Sequence, residues 1–526
     1  MQCYSCGAEN RLAAVYCGTC GQKLGGVATN GDRFVDHVMP VDSPTTGRRI
    51  AVLPAANGTL PTENGIRARS EQRASDATRY LCAAVHLDSR IADQVIDDLL
   101  EQDYRAAPSS PDVDLVPVVL HALAARRRQL TRDVILVVLM IAMAWFLVSL
   151  HSTAFLVSIA LAWAAVLGET LVATYGVLAH DLRPGNFHPA RVPRPASSKA
   201  RKRLEQIEEF GRSNVSVYSS YVPFVGHGRT VEAWSAALAL RGTANRKAEP
   251  FTTSDIHDFV LARMREIPVG TVEVSDRIYV DGRDIRGDRR FLAGDLSVPR
   301  AHVDPSLIRS LMVEPEDRAR PYLSFQIKGW RGQLVLSTFL RFVVTSKEVF
   351  IEVSHSLLTP VRDEFQVVDR LLPQPTARQA VVLAGKSAAM LLIYLVRAPM
   401  ALAKAITRPL AAELRTARQR REILGALHFN YGAPVSPRET VSDPQFQRYF
   451  QKLDTSHYVK VLEKRLLDAI VDFLEARGID TSEFDERKQT IENNGLYVAG
   501  NLVAGSVAVG AGARATTRAA KARRRR

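Results

Sequence analysis

The chain has 526 residues, 46% of them hydrophobic, with a formal net charge of +14 and a mean hydropathy of −0.06. That length has room for about three or four units, and five cysteines exclude a disulfide-framed secreted scaffold. The 69 basic residues are 56 arginines and 13 lysines; with the abundant alanine this reads as bacterial high-GC usage, so the charge alone does not make the chain a nucleic-acid binder.

The first element is built on two cysteine pairs, Cys3-Tyr4-Ser5-Cys6 and Cys17-Gly18-Thr19-Cys20, each followed by a glycine, Gly7 and Gly21. Four thiolates at such spacing can surround one Zn²⁺ tetrahedrally. So short a module has no core of its own, so the metal supplies the folding free energy. The glycines allow the backbone to curl so that amides point at the sulfurs. Through Cys3, Cys6, Gly7, Asn10, Tyr16, Cys17, Cys20, Gly21 and Leu24, residues 1–24 of a module expected over 1–26 resemble the short four-cysteine zinc-ribbon family. The resemblance implies one structural zinc on Cys3, Cys6, Cys17 and Cys20, and a role in structure, protein contact or nucleic-acid contact. It implies no reaction, because a closed four-thiolate site has no open coordination position. The polar start of the chain shows no cleavable signal peptide, and a reducing cytosol suits the thiols.

Residues 27–75, rich in Gly, Pro, Thr, Asn and Arg, read as a flexible linker. Residues 76–130 read as a helical region: Tyr80, Leu81, Val85, Ile91, Val95, Ile96, Leu99 and Leu100 recur at helix spacing, with a break at 107–114 before a second helix through Leu123. Cys82 falls within it as a small apolar residue.

Val134–Gly168 is a run of 35 residues without a formal charge. As one straight helix it would be about 50 Å long, against a hydrocarbon core of about 30 Å. His151-Ser152-Thr153 is the one polar cluster near its middle, so residues 133–178 are expected to form a transmembrane hairpin. Arg126, Arg127, Arg128 and Arg132 precede it, and Arg183, Arg191, Arg194 and Lys199 follow it. Basic flanks on both sides place both ends in the cytoplasm. Ala160, Ala164 and Gly168 repeat at four-residue spacing, which permits close helix contact within the hairpin or between copies of the chain.

Residues 204–373 have the texture of an α+β soluble domain. Strands are expected from Val215, over Tyr322–Trp330, Gln333–Val344 and Glu348–Ser354, and a helix over Ser254–Ile267 capped by Thr253 or Ser254. Phe224-Val-Gly-His-Gly-Arg229 is the one loop with a catalytic look: its glycines would expose His227 as an acid or base. No nucleophile or carboxylate is fixed beside it by spacing, and a turn after the first strand explains the glycines equally well.

Residues 379–406 are apolar again, but Lys386 sits inside and basic residues lie on both sides. Two readings stand: a helix on the membrane surface, or a third membrane helix. A single crossing would put one basic cluster outside, which favours the surface. Ala380–Ser387 matches a loose phosphate-loop pattern, but Val381, Val382 and Leu383 favour ordered structure over an open loop, and no strand precedes them.

A helical region, 443–494, follows, with Gly478 as a C-cap. Residues 495–526 form a Gly/Ala-rich segment with a basic tail, Arg523–Arg526. Val498–Ala515 resembles one or two rungs of a left-handed β-helix, too few to bury a core alone; a hairpin on the body, rungs stacked between chains and a disordered tail all remain open. The terminal arginines suit anionic lipid or nucleic acid.

The fold expected is multidomain: N-terminal zinc ribbon, helical region, two-helix transmembrane hairpin, α+β soluble domain and helical C-terminal region. The function expected is a zinc-ribbon protein of the bacterial cytoplasmic membrane, both termini cytoplasmic, acting as a scaffold, sensor or interaction protein. Its expected partners are the lipid bilayer, anionic lipids and a protein met by the ribbon, with further copies of the chain through the small-residue stripe. A membrane-attached enzyme with His227 as its one nameable residue is the alternative, and a nucleic-acid binder using ribbon and tail is the second. The zinc assignment is directly testable. Metal analysis of the purified chain should return one zinc equivalent, falling to none in Cys17→Ser; a metal-free wild type would refute it.

Overall fold

The computed structural model describes residues 75–482 and 484, apart from 193, 245, 266–271 and 426–427. The four cysteines of the ribbon, the expected linker up to residue 74 and residues 485–526 therefore lie outside the described residues.

Two helices come first, α1 (Asp76–Leu87) and α2 (Ser89–Val95, continued by a π-helical turn to Leu100). Each starts where a short polar side chain caps free amides: Ser75 accepts from Thr78 N and Asp88 from Arg90 N. Their apolar residues pack on the first half of α3 (Leu115–Val148), where Leu81, Cys82, Val85, Leu99, Val118 and Val119 are all buried. The sequence separates a helix ending near Leu123 from a membrane helix starting near Asp133. The structure joins them in one 34-residue helix. Nothing between Val118 and Val148 is Gly or Pro, so no residue there ends the hydrogen-bond ladder.

The chain then turns at Ser149–His151, close to the predicted polar cluster, with Leu150 at φ 56°. It returns as α4 (Ser152–Leu171), extended by π-helical residues to Asp181. A further helix, α5 (Ser198–Gly211), leads into the sheet.

Six strands form one mixed sheet among the described residues: β1 (Val215–Tyr218), β2 (Arg229–Ala239), β3 (Val272–Asp281), β4 (Ala319–Gly329), β5 (Leu334–Val344) and β6 (Glu348–Leu358). Their spatial order is β1-β3-β4-β5-β6-β2. β1 runs parallel to β3 and every other pair is antiparallel. The sequence reading found β1, β4, β5 and β6 but not β2 or β3. Ala233, Ser235, Ala236 and Ala237 give β2 little strand character.

Helices α6 (Thr253–Arg265), α7 (Pro305–Val313) and α9 (Tyr449–Ala476) surround one side of the sheet, α8 being described below. Leu323, Phe325, Ile327, Leu336, Leu340, Ile351 and Val353 pack there against Ile256, Val260, Leu462, Leu466 and Ile470. The residue that caps α6 is Thr252, whose hydroxyl accepts from Asp255 N, one position earlier than expected. Gly478 ends α9 at φ +69°, as its type suggests. The C-terminal helical region thus shares a core with the sheet, and the N-terminal helices share another with β1, β3 and α5.

Between the last strand and α9 the chain forms α8 (Ala377–Gly425), 49 residues long. It packs on α3 and α4. Among the described residues, three helices are long and apolar enough to cross a membrane: α3, α4 with its extension, and α8. The phosphate-loop-like run Ala380–Ser387 lies wholly inside α8.

Two clusters of charge fasten these helices. Glu169 on α4 accepts from Arg128 Nε at 2.8 Å and lies 3.6 Å from Arg132 Nη1. On α8, Arg408 reaches Glu101 at 2.6 Å, Asp93 at 3.2 Å and Asp97. Lys404 and Arg415 pair with Asp93 and Glu101 and offset the remaining negative charge. Arg408 is only 9% exposed at its side chain. Arg408→Leu should therefore destabilise the folded chain by about 2–3 kcal/mol. This is below the ~3–5 kcal/mol of a fully buried pair, because about a third of the Asp93 and Asp97 side chains stays in water. Unfolding of the detergent-purified protein measures it; unchanged stability would show that the cluster does not hold α8.

Candidate functional site

Strand alternation gives the sheet a second face, opposite α6 and α9. Along β4 the residues read Tyr322, Leu323, Ser324, Phe325, Gln326, Ile327, Lys328. The apolar members face the helices, so Tyr322, Ser324, Gln326 and Lys328 face the other way. Register aligns their neighbours: Ser324 pairs with Phe339, Phe339 with Ser354, and Arg341 with Glu352. Tyr279 on β3 joins the same face beside Arg320.

The chain from Ser219 to Gly228 folds over this face. Phe224 stacks flat on Phe339 at 3.8 Å between ring centroids. It meets Tyr279 and Tyr322 edge-on at 5.1 and 5.5 Å. Edge-to-face contacts of this kind fix ring positions beyond what area burial provides. Two glycines make the fold-over feasible. Gly226 and Gly228 take φ +91° and +83°, and a Cβ on either would strike Ser109 O or Leu357 O, at 1.6 and 2.2 Å. Glu439 holds the turn from outside: its Oε1 accepts from Gly226 N and Gly228 N, each at 2.9 Å. Burial pushes the Glu439 carboxyl up, while the amides of Gly228, Gly226 and Ser436 oppose the shift.

His227 lies under this loop and is fully buried. Its Nδ1 is 2.9 Å from Ser337 Oγ, its ring sits edge-on to Phe339, and its Nε2 has no partner among the described residues. Burial, with Arg277 nearby, holds it well below the usual histidine range. The structure thus places the one sequence candidate for acid–base work in the interior, as a neutral ring.

Beside the loop the face opens into a groove of about 860 Å³. Tyr218, Tyr221 and Phe224 form one wall, and Tyr279, Tyr322, Arg320, Arg341 and Glu352 the floor. Tyr221 is 98% exposed at the rim. The Tyr322 hydroxyl donates to Glu352 Oε1 at 2.9 Å, and Arg341 Nη1 lies 3.6 Å from the other oxygen. Burial and the Glu352 carboxylate keep the Tyr322 phenol protonated. The Tyr279 hydroxyl is buried without a partner among the described residues. A volume of this size, with aromatic walls and a few placed polar groups, suits a small ligand with a planar part and charged substituents.

Of these groove residues the sequence points only to Phe224, at the start of the His227 loop, although the alternation Tyr322-Ser324-Gln326-Lys328 marks a second, more polar face. Bringing Tyr279, Tyr322 and Phe339 together needs the strand order, which no local pattern carries. Among the described residues no group of three or more His, Cys, Asp or Glu side chains could hold a metal ion.

On the helix-covered face, buried His355 meets Thr338 Oγ1 at 2.7 Å through Nδ1, with Nε2 4.0 Å from Glu463. Burial lowers it to about 4, against about 6.5 in the unfolded chain. A depressed value contributes stability above pH 6.5 that is lost as the pH falls toward 4. His355→Gln should therefore flatten the loss of stability between pH 6.5 and 4 relative to wild type. His227 and His86, also lowered, leave a residual slope. Identical slopes by chemical denaturation at each pH would refute the assignment.

The comparisons with known proteins bear on this same region. The family model described as an AbeC-like domain matches residues 233–508, from within β2 through α9 and beyond, which is more than half of the chain. No curated protein and no solved structure matches it.

Proposed function

The chain belongs to the AbeC-like domain family, and we propose that it is a membrane-anchored sensor whose α+β body binds a small ligand in the sheet groove. The carrying observation is the aromatic groove with Arg320, Arg341 and Glu352 on its floor, in a body whose own core helix continues into a membrane-length hairpin. The ligand class the groove fits is a planar ring with an anionic group. The ring would lie against Phe224 and Tyr221, and the anion near Arg320, which has no carboxylate partner among the described residues.

Around this body the sequence supplies the remaining parts of the reading. The zinc ribbon, on its linker, acts as a protein-contact module. Basic flanks on both sides of the hairpin support a cytoplasmic body with both termini inside the cell. The basic tail favours anionic lipid. Binding, rather than turnover, is favoured by the burial of His227 together with its one hydroxyl neighbour, Ser337, which keeps that pair out of reach of a ligand in the groove.

The test is a titration of the purified full chain in lipid nanodiscs with an aromatic anion, anilinonaphthalene sulfonate. Wild type should show a saturable component whose dissociation constant rises about tenfold in Arg320→Ala, the effect of losing one charge-assisted hydrogen bond. Phe224→Leu should weaken it further. Binding that is equal in all three proteins would place the dye elsewhere and overturn the groove as the site.

A further inference from the structure

The partners of α8 along its length settle how it meets the hairpin. Near its start, Gln379 Oε1 accepts from the Tyr175 hydroxyl at 3.5 Å. Then Ala384 O accepts from Trp163 Nε1 at 3.1 Å. Next, Tyr394 lies under Arg132, 4.3 Å from its guanidinium carbon. Ala398 joins Leu136, Ala162 and Val166 in one cluster, and Lys404 and Arg408 reach Asp93.

The level of each partner follows from Glu169, which pairs with Arg128 and Arg132 and so marks the body end of the hairpin. Gln379 and Tyr394 are about 22 Å apart along α8 at 1.5 Å per residue. Yet Arg132 stands at the Glu169 level, and Tyr175 stands beyond it on the body side. A helix aligned with the hairpin would carry one of the two toward the turn at Leu150. It does not: Ile141, Trp145, Val148, Leu156 and Val157, in the turn half, remain exposed. α8 therefore crosses the base of the hairpin steeply.

Its outer surface fits that placement. Val381, Leu392, Val396, Met400, Ile406 and Leu410 are exposed, and they fall in one broad stripe opposite the packed face. Lys386, Arg397 and Lys404 are 11 and 7 residues apart, about three and two turns, so they share a row along one flank of that stripe. Lys404 is paired with Asp93, while Lys386 and Arg397 have no carboxylate partner among the described residues. An apolar stripe flanked by cations, on a helix packed against the exposed apolar hairpin of α3 and α4, has the chemistry of a helix lying in the headgroup–acyl boundary.

We infer that α8 is an in-plane membrane helix that binds the anionic leaflet on the body side of the hairpin, with Lys386 and Arg397 meeting lipid phosphates. This rests on the membrane-anchored reading above, in that the hairpin must span.

The test uses the full chain in nanodiscs containing phosphatidylglycerol. A spin label on an encoded keto amino acid is placed singly at Val381, Leu392, Leu410 or Leu150, and immersion depth is read from oxygen and nickel-chelate accessibility. The expected result is similar shallow depths at Val381, Leu392 and Leu410, with Leu150 at the far surface. Replacing phosphatidylglycerol by phosphatidylcholine, or making Lys386→Gln with Arg397→Gln, should bring the Leu392 label outward. A depth difference near ~16 Å between Val381 and Leu392, the rise of eleven residues, would make α8 a third crossing and overturn the inference alone. Labels on α8 in water, with Leu150 still across, would also overturn it alone. A Leu392 depth indifferent to headgroup charge would remove the anionic-lipid claim. If Leu150 is not at the far surface, the membrane-anchored reading falls together with it.

Discussion

An α-helix cannot change direction sharply without giving up backbone hydrogen bonds, and in this chain that constraint ties the sheet-containing body to the hairpin. α3 begins among the buried residues of the body, at Val118, Val119 and Ala122, and continues without a break into the apolar half that ends at Val148. No glycine or proline between those points offers a hinge. The hairpin is thus an extension of a core helix, and its orientation is set where α1, α2 and α3 pack together. A linker at the same place would have left the two parts free to reorient.

The transition between the two environments is handled by charge. Arg128 and Arg132 share Glu169, and Arg128 Nη1 also donates to His86 Nδ1 at 3.1 Å. That leaves His86 Nε2 carrying a hydrogen, which it donates to His121 Nδ1 at 3.0 Å. Burial and these two neighbours hold His86 in its neutral form. Isolated, each of these groups would be expensive to bury; connected, they form a belt between core and apolar surface. The Arg408 cluster does the same for α8, and its three carboxylates come from one short stretch, Asp93 on α2, Asp97 in its π-helical turn and Glu101 at its C-cap, all of which reach the one guanidinium.

How much of this was legible follows from the range over which each signal acts. The hairpin was legible because 35 uncharged residues with one polar interruption admit few solutions, and the turn fell within two residues of the predicted cluster. β4 was legible because Tyr322–Lys328 alternates with period two, and β5 and β6 because valine, isoleucine and phenylalanine are frequent in them. β2 was not, since an alanine- and serine-rich edge strand depends on β6 for its identity, through ten paired positions. The continuity of α3 across Arg126–Arg132 was also hidden: a charged run reads as a boundary, though a helix passes through it without strain. The groove was the least legible feature. Its residues lie on all six strands and the loop after β1, and the sheet order interleaves distant segments. His227 drew notice through its flanking glycines, which serve the close backbone approach to Ser109 and Leu357 rather than exposure of the ring.

The same loop shows how the groove is connected to the long apolar helices. After α8, the chain returns to the sheet at Ala433, whose N donates to Val217 O at 2.8 Å, next to the groove residue Tyr218. Ser436 then begins a helical turn, Pro437–Thr440, with a capping box that orients Glu439. Glu439 in turn holds Gly226 and Gly228, and so positions Phe224 in the groove wall. Arg438, fully buried beside it, donates to Gln333 O and Thr359 O and pins the turn to the start of β5 and to the residue after β6. The wall of the groove and the end of α8 are therefore fastened within one short stretch of chain. A ligand can shift the position of α8 only through a difference in affinity between two arrangements of that stretch. Phe224 is the groove residue best placed to feel the difference, because its ring is fixed from above by the Glu439-bound turn and from below by Phe339.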